Sequence, residues 1–287
     1  MAISGIHALE YVNSISNNTS NLGLVNKESI VSSGHLLNRI LLKNNTKLFP
    51  LDSEHYSLNN LNINNHNIYK IYLTASGGPF LNLDNKKIYN AKISQVIKHP
   101  KWKMGIKNSI DSATLSNKIL ELIEAKYLFN IPFSKLDIVI HPEAFIHSII
   151  EFNDFQSNLN YFYPDMSIPI INFISEVVCT KPLFLKPNKY FFKKNNQLNF
   201  FDVDVKKFPI YRLLKQIDFN DPLNAIKFNI ANEYAVNLFL RKKIQFGDIY
   251  KYICEFMLID INSSINSIEN VINIHYEFNL LLNKKYL

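Results

Sequence analysis

The chain has 287 residues, 47% hydrophobic and 19% charged, a composition that excludes wholesale disorder and a collagen-like or coiled-coil rod. Its net charge of +7 points to an anionic partner, but an AT-rich genome also raises lysine for reasons unrelated to binding. Two cysteines, Cys179 and Cys254, exclude a disulfide scaffold or a zinc ribbon and favour a reducing compartment.

The sequence predicts no transmembrane helix, since charged residues and prolines interrupt its most apolar window, 162–185. The N-terminal segment MAISGIHALEYVNSI lacks the basic and apolar regions of a secretory signal. We therefore expect a protein of the bacterial cytoplasm.

The first fifty residues alternate between helix and strand patterns. Apolar residues recur at helical spacing in 5–15 and 27–43, whereas 22–25 and 47–50 are short apolar runs typical of strands. This alternation predicts a layered α/β unit with parallel strands. No opening strand and no glycine-rich turn lead into the first helix.

The middle of the chain mixes both patterns, which predicts an α+β domain. Strands are expected at 68–73, 136–140 and 145–152, and a long helix at 113–129. A stretch rich in Lys, Asn and Pro, 180–201, is typical of a linker. Beyond it we expect a small bundle of amphipathic helices, at 209–216, 223–241, 246–258 and 265–282.

Two segments carry carboxylates in patterns that could form a metal-binding or catalytic site. Asp52 and Glu54 follow a strand, where a loop could present them to a hard cation such as Mg²⁺ or Mn²⁺; a solvated acidic turn is the alternative. In the helix from Ala113, Asn117 and Lys118 would share a patch with Glu121. That segment is alternatively an ordinary surface helix with a Lys–Glu pair.

Three further features could serve a ligand. Ser112 would lie near the N-terminus of that helix, where free backbone N–H groups favour a phosphate. The turn TASGGPF (74–80) could hold an anion, and HPKWKMG (99–105) could close over a ligand; both are alternatively structural connections. His141 and His147 flank PEAFI and are alternatively structural histidines.

The order of the motifs is more specific than any one of them. They are NKES (26–29), DSEH (52–55), SGGPF (76–80), HPKWKMG (99–105), DSAT with NK and ExxE (111–124), HP with IHS (141–148), PDM (164–166) and NIANE (229–233). In this order they resemble the 1-deoxy-D-xylulose 5-phosphate reductoisomerase family of the methylerythritol phosphate route to isoprenoids.

The resemblance implies roles for residues at the matching positions. A divalent metal, Mg²⁺ or Mn²⁺, would be held by Asp52, Glu54 and Glu121. The catalytic groups would be Glu54, Glu121, Lys27 and His147, with Glu124 as a further proton-handling group. The sugar would contact Lys27 and Ser53, and the phosphate Ser76, His99, Ser112, Asn117 and Lys118. Trp102 and Met104 would belong to a lid, and NADPH would contact Asn26, Glu28, Gly105 and Met166.

The family's NADPH-binding domain opens with a glycine-rich turn, and we find none here, so we expect an N-terminally truncated member. The resemblance divides the chain into a remnant of a Rossmann-like nucleotide domain (1–51), a central α+β catalytic domain (52–179), a linker (180–200) and a C-terminal helical domain (201–287).

The implied activity is rearrangement and NADPH-dependent reduction of 1-deoxy-D-xylulose 5-phosphate to 2-C-methyl-D-erythritol 4-phosphate. One alternative is a non-catalytic phosphosugar-binding remnant, and another is the catalytic half of a split enzyme that needs a separate nucleotide-binding chain. A nucleic-acid binder would rest on the net charge alone, and the lysines are scattered. We expect a homodimer with no nucleic-acid or membrane partner.

Overall fold

The computed structural model describes residues 1–3, 5–61, 63, 67–98, 104–178, 197–261 and 263–286. Two predicted site residues, His99 and Trp102, lie outside these ranges. The predicted linker at 180–200 also lies outside them, apart from 197–200.

The first part is a two-stranded parallel sheet joined by a helix. After a 3-10 turn (Ile6–Tyr11) and α1 (Val12–Asn17), β1 (Asn21–Leu24) pairs in parallel with β2 (Lys47–Pro50). The connection is α2 (Lys27–Lys43), capped by the Asn26 side chain, which accepts a hydrogen bond from the backbone N–H of Ser29. The predicted alternation of helix and strand is confirmed.

A four-stranded mixed sheet forms the centre, in the order β4-β3-β5-β6. Its strands are β3 (Ile68–Ala75), β4 (Leu136–Ile140), β5 (Ile146–Phe152) and β6 (Ser157–Tyr161). β3 runs parallel to β4 and antiparallel to β5, and β5 runs antiparallel to β6. The sequence did not predict β6, because this exposed edge strand carries mostly polar residues.

The helices of the central part differ from the prediction at one break. They are α3 (Ser53–Asn60), α4 (Asn85–Tyr89), α5 (Ile93–Val96), α6 (Ile106–Thr114), α7 (Ser116–Phe129) and α8 (Ser167–Val177). The single helix expected at 113–129 is wrong at its start, since Leu115 has φ +73° and separates α6 from α7. Ser112 therefore lies towards the end of α6, not at the N-terminus of α7.

The last part is helical, as expected. A 3-10 turn (Pro209–Arg212) leads into α9 (Leu213–Gln216), followed by α10 (Pro222–Leu240), a 3-10 turn (Phe246–Asp248), α11 (Ile249–Met257) and α12 (Ile268–Tyr286). α10 is buried on most sides because it packs against α2, α11, α12 and α6. No helix in the described ranges is long and apolar enough to cross a membrane.

Candidate active site

The carboxylates of DSEH lie at the start of a helix and not in a loop as predicted. Asp52 follows β2 and caps α3, since its side chain accepts a hydrogen bond from the backbone N–H of Glu54 at 3.2 Å. Glu54 thus lies in the first turn of α3, where the helix dipole favours negative charge. The cap is the signal that distinguishes a helix start from an acidic turn.

The neighbouring helix α7 supplies an amide, an ammonium and a carboxylate on one patch, as its spacing predicted. Asn117 donates its side-chain N–H to Oε1 of Glu121, and Nζ of Lys118 lies 2.6 Å from Oε2 of the same residue. The positive φ of Leu115 turns the chain sharply before this patch, so the first turn of α7 faces the cavity beside α6.

Charges from α2, α3 and α7 meet in one cluster. Candidate ligand oxygens of Asp52, Glu54 and Glu121 all lie within 4.8 Å of one another. Nζ of Lys27 is 3.1 Å from both Asp52 and Glu121, and Nζ of Lys118 bridges Glu121 and Glu54. Each lysine therefore links two carboxylates that are distant in sequence.

Burial and the neighbouring charges shift the pKa values of the groups in this cluster. Burial and the neighbouring Glu54 raise the pKa of Glu121 to about 7. For Glu54 burial acts in the opposite sense to Lys118 and His147, which together hold its pKa well below the usual range. Burial alone would lower the pKa of Lys27, but Asp52 and Glu121 raise it well above its ordinary value. The lysines stay charged, and one carboxylate tends to keep a proton.

The donor set fits a hard divalent cation. Three carboxylates converge on one point, and oxygen ligands are those that Mg²⁺ and Mn²⁺ prefer. The raised pKa of Glu121 indicates that the two lysines do not fully compensate the negative charge, which a cation would do. Among the described residues, Asp52, Glu54 and Glu121 are therefore a carboxylate set that could hold such a metal.

A histidine that the sequence reasoning did not assign lies behind Glu121. The ring of His55 is fully buried, and its Nε2–H donates to the backbone carbonyl of Glu121 at 2.9 Å. Its Nδ1 faces Oε2 of Glu124 at 3.6 Å and Oδ1 of Asp52 at 3.7 Å. Burial and the nearby Asp52 raise the pKa of Glu124 well above its usual range. The position directly after Glu54 in DSEH was the available signal for His55.

The described phosphate candidates lie in the turn after β3, on α6 and on α7, and the turn touches α6. The turn after β3 places Ser76 beside α6: a Cβ built on Gly78 would be 3.2 Å from the backbone carbonyl oxygen of Ser112. Gly78 has φ +62° and Gly77 has φ +81°, so this turn needs both glycines. Asn108 and Ser112, four residues apart along α6, line the cavity together with Met104, which precedes the helix.

Most predicted site residues line one cavity of about 260 Å³. They are Lys27, Asp52, Ser53, Glu54, Ser76, Met104, Ser112, Asn117, Lys118, Glu121, His147 and Met166. A second cavity lies beside the first, and Val25, Lys27 and Asn108 line both. The second cavity is also lined by three predicted NADPH contacts, Asn26, Glu28 and Gly105. Sequence reasoning missed Asn108, whose spacing from Met104 and Ser112 was the only signal.

Two family models match the chain. One, described as the 1-deoxy-D-xylulose 5-phosphate reductoisomerase C-terminal domain, matches residues 48–129. Another, described as the DXP reductoisomerase C-terminal domain, matches residues 163–279. Together they cover the metal candidates and the helical part.

Proteins named 1-deoxy-D-xylulose 5-phosphate reductoisomerase are similar over most of the chain. The protein from Pelagibacter ubique is 41% identical over 250 residues, which is 86% of this chain and 64% of that protein. The protein from Ehrlichia canis is 42% identical over 260 residues, 89% of this chain and 66% of that protein. The chain thus spans slightly less than two thirds of these relatives.

Solved structures extend the likeness to the fold. The Zymomonas mobilis reductoisomerase in complex with NADPH has a TM-score of 0.84 at 33% identity, covering 97% of this chain and 72% of that one. A DOX-P reductoisomerase in complex with NADPH, fosmidomycin and magnesium has a TM-score of 0.85 at 30% identity, covering 99% and 74%. Similarity of this extent, in sequence and in fold, shows that the chain belongs to the 1-deoxy-D-xylulose 5-phosphate reductoisomerase family.

Proposed function

We propose that this chain carries the metal-dependent site that converts 1-deoxy-D-xylulose 5-phosphate into 2-C-methyl-D-erythritol 4-phosphate with NADPH, in isoprenoid precursor biosynthesis. The observation that carries the proposal is the convergence of Asp52, Glu54 and Glu121 beside two buried lysines in one cavity. The names of the similar proteins, and the solved reductoisomerase structures in complex with NADPH and magnesium, support it.

Each group around the carboxylates has a role that its contacts suggest. A divalent cation, Mg²⁺ or Mn²⁺, would polarise the substrate carbonyl as a Lewis acid. Lys27, whose ammonium contacts Asp52, Glu121 and Asn117, would exchange one of these partners for a sugar oxygen. The Ser53 hydroxyl donates to Glu54 and would accept a hydrogen bond from a sugar hydroxyl. Lys118 supplies positive charge between these carboxylates and the phosphate.

The phosphate would occupy the end of the cavity where the turn after β3 meets α6 and α7. Ser76 and Ser112 offer hydroxyls there, and the side chains of Asn117 and Lys118, in the first turn of α7, line the same cavity. We also propose His99 as a phosphate contact and Trp102 and Met104 as lid residues. Of these three, only Met104 lies in the described ranges.

His147 and Glu124 are proposed to handle protons. The ring of His147 stacks on Phe162 with centroids 4.2 Å apart, and its Nδ1 lies 3.8 Å from Oε1 of Glu54. That contact lets His147 orient Glu54 and exchange a proton with substrate at the cavity wall. Oε2 of Glu124, buried beside Nδ1 of His55, would hold a proton beneath the carboxylate cluster.

The second cavity is proposed to receive the nicotinamide end of NADPH. No described atom lies within 4 Å of the point where a Cβ of Gly105 would be, so backbone there is open to a ligand. Asn26 and Glu28 bond to each other at 3.0 Å, and therefore shape the wall more than they offer free donors. Met166 faces the first cavity.

The domain boundaries predicted from the sequence, a homodimer and a cytoplasmic location remain part of the proposal.

Two alternative functions would use the same cluster of carboxylates. A non-catalytic phosphosugar-binding protein would bind the substrate without oxidising NADPH. The catalytic half of a split enzyme would oxidise NADPH only when a separate nucleotide-binding chain is added.

The test uses the purified chain with 1-deoxy-D-xylulose 5-phosphate, Mg²⁺ or Mn²⁺, and NADPH. Loss of nicotinamide absorbance is followed alongside calorimetric binding of the phosphosugar with and without metal. Turnover that Glu121→Gln abolishes supports the proposal. Metal-dependent binding without turnover would favour the two alternatives, and absence of both binding and turnover contradicts the site assignment.

A further inference from the structure

The NIANE segment of α10 reaches two other helices through its two asparagines. The side-chain amide of Asn229 donates to Oγ of Ser32 on α2 at 3.2 Å. The amide of Asn232 donates to Oδ1 of Asp111 on α6 at 2.8 Å. Both asparagines are fully buried, and a buried amide is stabilising only when it is hydrogen-bonded. The segment therefore fixes α10 against two specific partners.

The contact on α6 continues towards the active site. Asp111 is fully buried, and its second carboxylate oxygen accepts from Nζ of Lys107 at 2.8 Å. The same ammonium lies 3.3 Å from Oε1 of Glu28 at the start of α2. The chain of contacts Asn232–Asp111–Lys107–Glu28 thus joins α10, α6 and the N-terminus of α2.

Two sides of α6 make different contacts. Lys107 and Asp111, one turn apart, make the polar contacts to other helices, whereas Asn108 and Ser112 line the cavity. A helix that loses its anchor on one side can rotate or slide, and the hydroxyl of Ser112 would move with it. The position of Ser112 is therefore sensitive to the bond between Asn232 and Asp111.

We propose that Asn232 is a positioning residue that, through Asp111, holds α6 so that Ser112 meets the substrate phosphate. This inference rests on the proposed function for the identity of the ligand. It assigns to the C-terminal helical part an influence, through α6, on the affinity for the substrate phosphate.

The test compares Asn232→Ala with Asn229→Ala, a matched control of the same residue type, helix and burial whose partner lies on α2. Because Asn232→Ala leaves a buried carboxylate oxygen short of a donor, we expect about tenfold weaker binding of 1-deoxy-D-xylulose 5-phosphate. Binding of 1-deoxy-D-xylulose, which lacks the phosphate, should change less than about twofold, as should phosphosugar binding by Asn229→Ala. Thermal unfolding of both variants confirms that they are folded.

A double variant provides the rescue. In Asp111→Asn combined with Asn232→Asp, the direction of the hydrogen bond is reversed: the amide at position 111 donates to the carboxylate at position 232. The amide oxygen at position 111 can still accept from Lys107. We expect the double variant to recover most of the lost phosphosugar affinity. Equal losses in Asn232→Ala and Asn229→Ala, or no change in Asn232→Ala, would overturn the inference.

Hydrogen exchange separates failure of this inference from failure of the proposed function. Asn232→Ala should speed amide exchange in 106–114, and Asn229→Ala should not. If the unmodified chain does not bind the phosphosugar, the proposed function fails, and unchanged exchange in 106–114 would overturn the positioning role as well.

Discussion

Nζ of Lys118 lies 2.6 Å from Oε2 of Glu121, one turn away on α7, and the same ammonium contacts Glu54 on α3. All three side chains are nearly inaccessible to solvent. Lys118 thus links α3 and α7 through its ion pairs, and it also places a positive charge within the proposed substrate site.

Lys118→Met should strongly destabilise the metal-free chain. Removing one partner of a buried ion pair leaves uncompensated carboxylates, at a cost of about 3–5 kcal/mol. Because Mg²⁺ would supply positive charge to the same carboxylates, its addition should restore part of the loss. Urea unfolding with and without Mg²⁺ measures both effects.

Lys47→Met is the matched control for that variant. Lys47 pairs with Glu176 at 2.8 Å, but both side chains are more than half exposed, so we expect a loss below about 1 kcal/mol and no rescue by Mg²⁺. Equal losses of unfolding free energy in the two variants would contradict the buried cluster.

Glu121→Gln should weaken metal binding while leaving the fold intact. Since burial and Glu54 raise the pKa of Glu121 to about 7, the fold already tolerates a neutral group at this position. Calorimetry with Mn²⁺ should show at least about tenfold weaker binding, because a charged oxygen ligand is lost. Unfolding free energy should change by less than about 1 kcal/mol. Unchanged Mn²⁺ affinity would exclude Glu121 as a ligand.

Gly78→Ala should weaken phosphosugar binding. The residue has φ +62°, and the added Cβ would lie 3.2 Å from the carbonyl oxygen of Ser112, so the turn bearing Ser76 must move away from α6. Gly5→Ala is the control, since Gly5 has φ +68° and no described atom within 4 Å.

Both glycine variants should lose about 1–3 kcal/mol, because φ is positive at both positions and Gly5, with ψ −160°, lies in a region that glycine alone normally adopts. Only Gly78→Ala should also lose phosphosugar affinity in calorimetry. Equal affinities in the two variants would indicate that Ser76 and Ser112 do not act together.

His275 should make the chain less stable in acid. Burial lowers the pKa of His275 to about 3, and the ring bonds to Oγ of Ser32 at 3.1 Å. The unfolded chain binds a proton near pH 6.5 and the folded chain does not, so this contribution is complete above pH 6.5. It declines by up to about 1.4 kcal/mol per pH unit as the pH falls towards 3.

The measurement for His275 is urea unfolding from pH 7 to pH 4 for the unmodified chain and for His275→Gln. The glutamine can keep a bond to Ser32 but does not titrate, so its stability should fall less steeply with acid. Parallel curves for the two proteins would show that His275 does not contribute.

Local pattern was sufficient for much of the site. Asn117, Lys118 and Glu121 were expected on one patch because helical spacing of three and four residues places side chains on the same side. The strands around β3 were likewise predicted from short apolar runs. These features depend on neighbours in sequence, which a periodic pattern records directly.

Other features depended on contacts between distant segments. Lys27 meets Glu121 across 94 positions, and His55 reaches the backbone of Glu121 across 66. The break at Leu115 and the cap at Asp52 moved Ser112 and Glu54 onto different elements from those predicted.

The sequence alone determined which chemical groups are present, their order along the chain, and the local patch on α7. Only the tertiary structure decided that three carboxylates meet around two lysines and that Asn232 of NIANE donates to Asp111 on α6. The physical reason is that a buried charge or amide is stable only beside a compensating partner. Packing of the whole chain chooses that partner, and no short-range pattern encodes it.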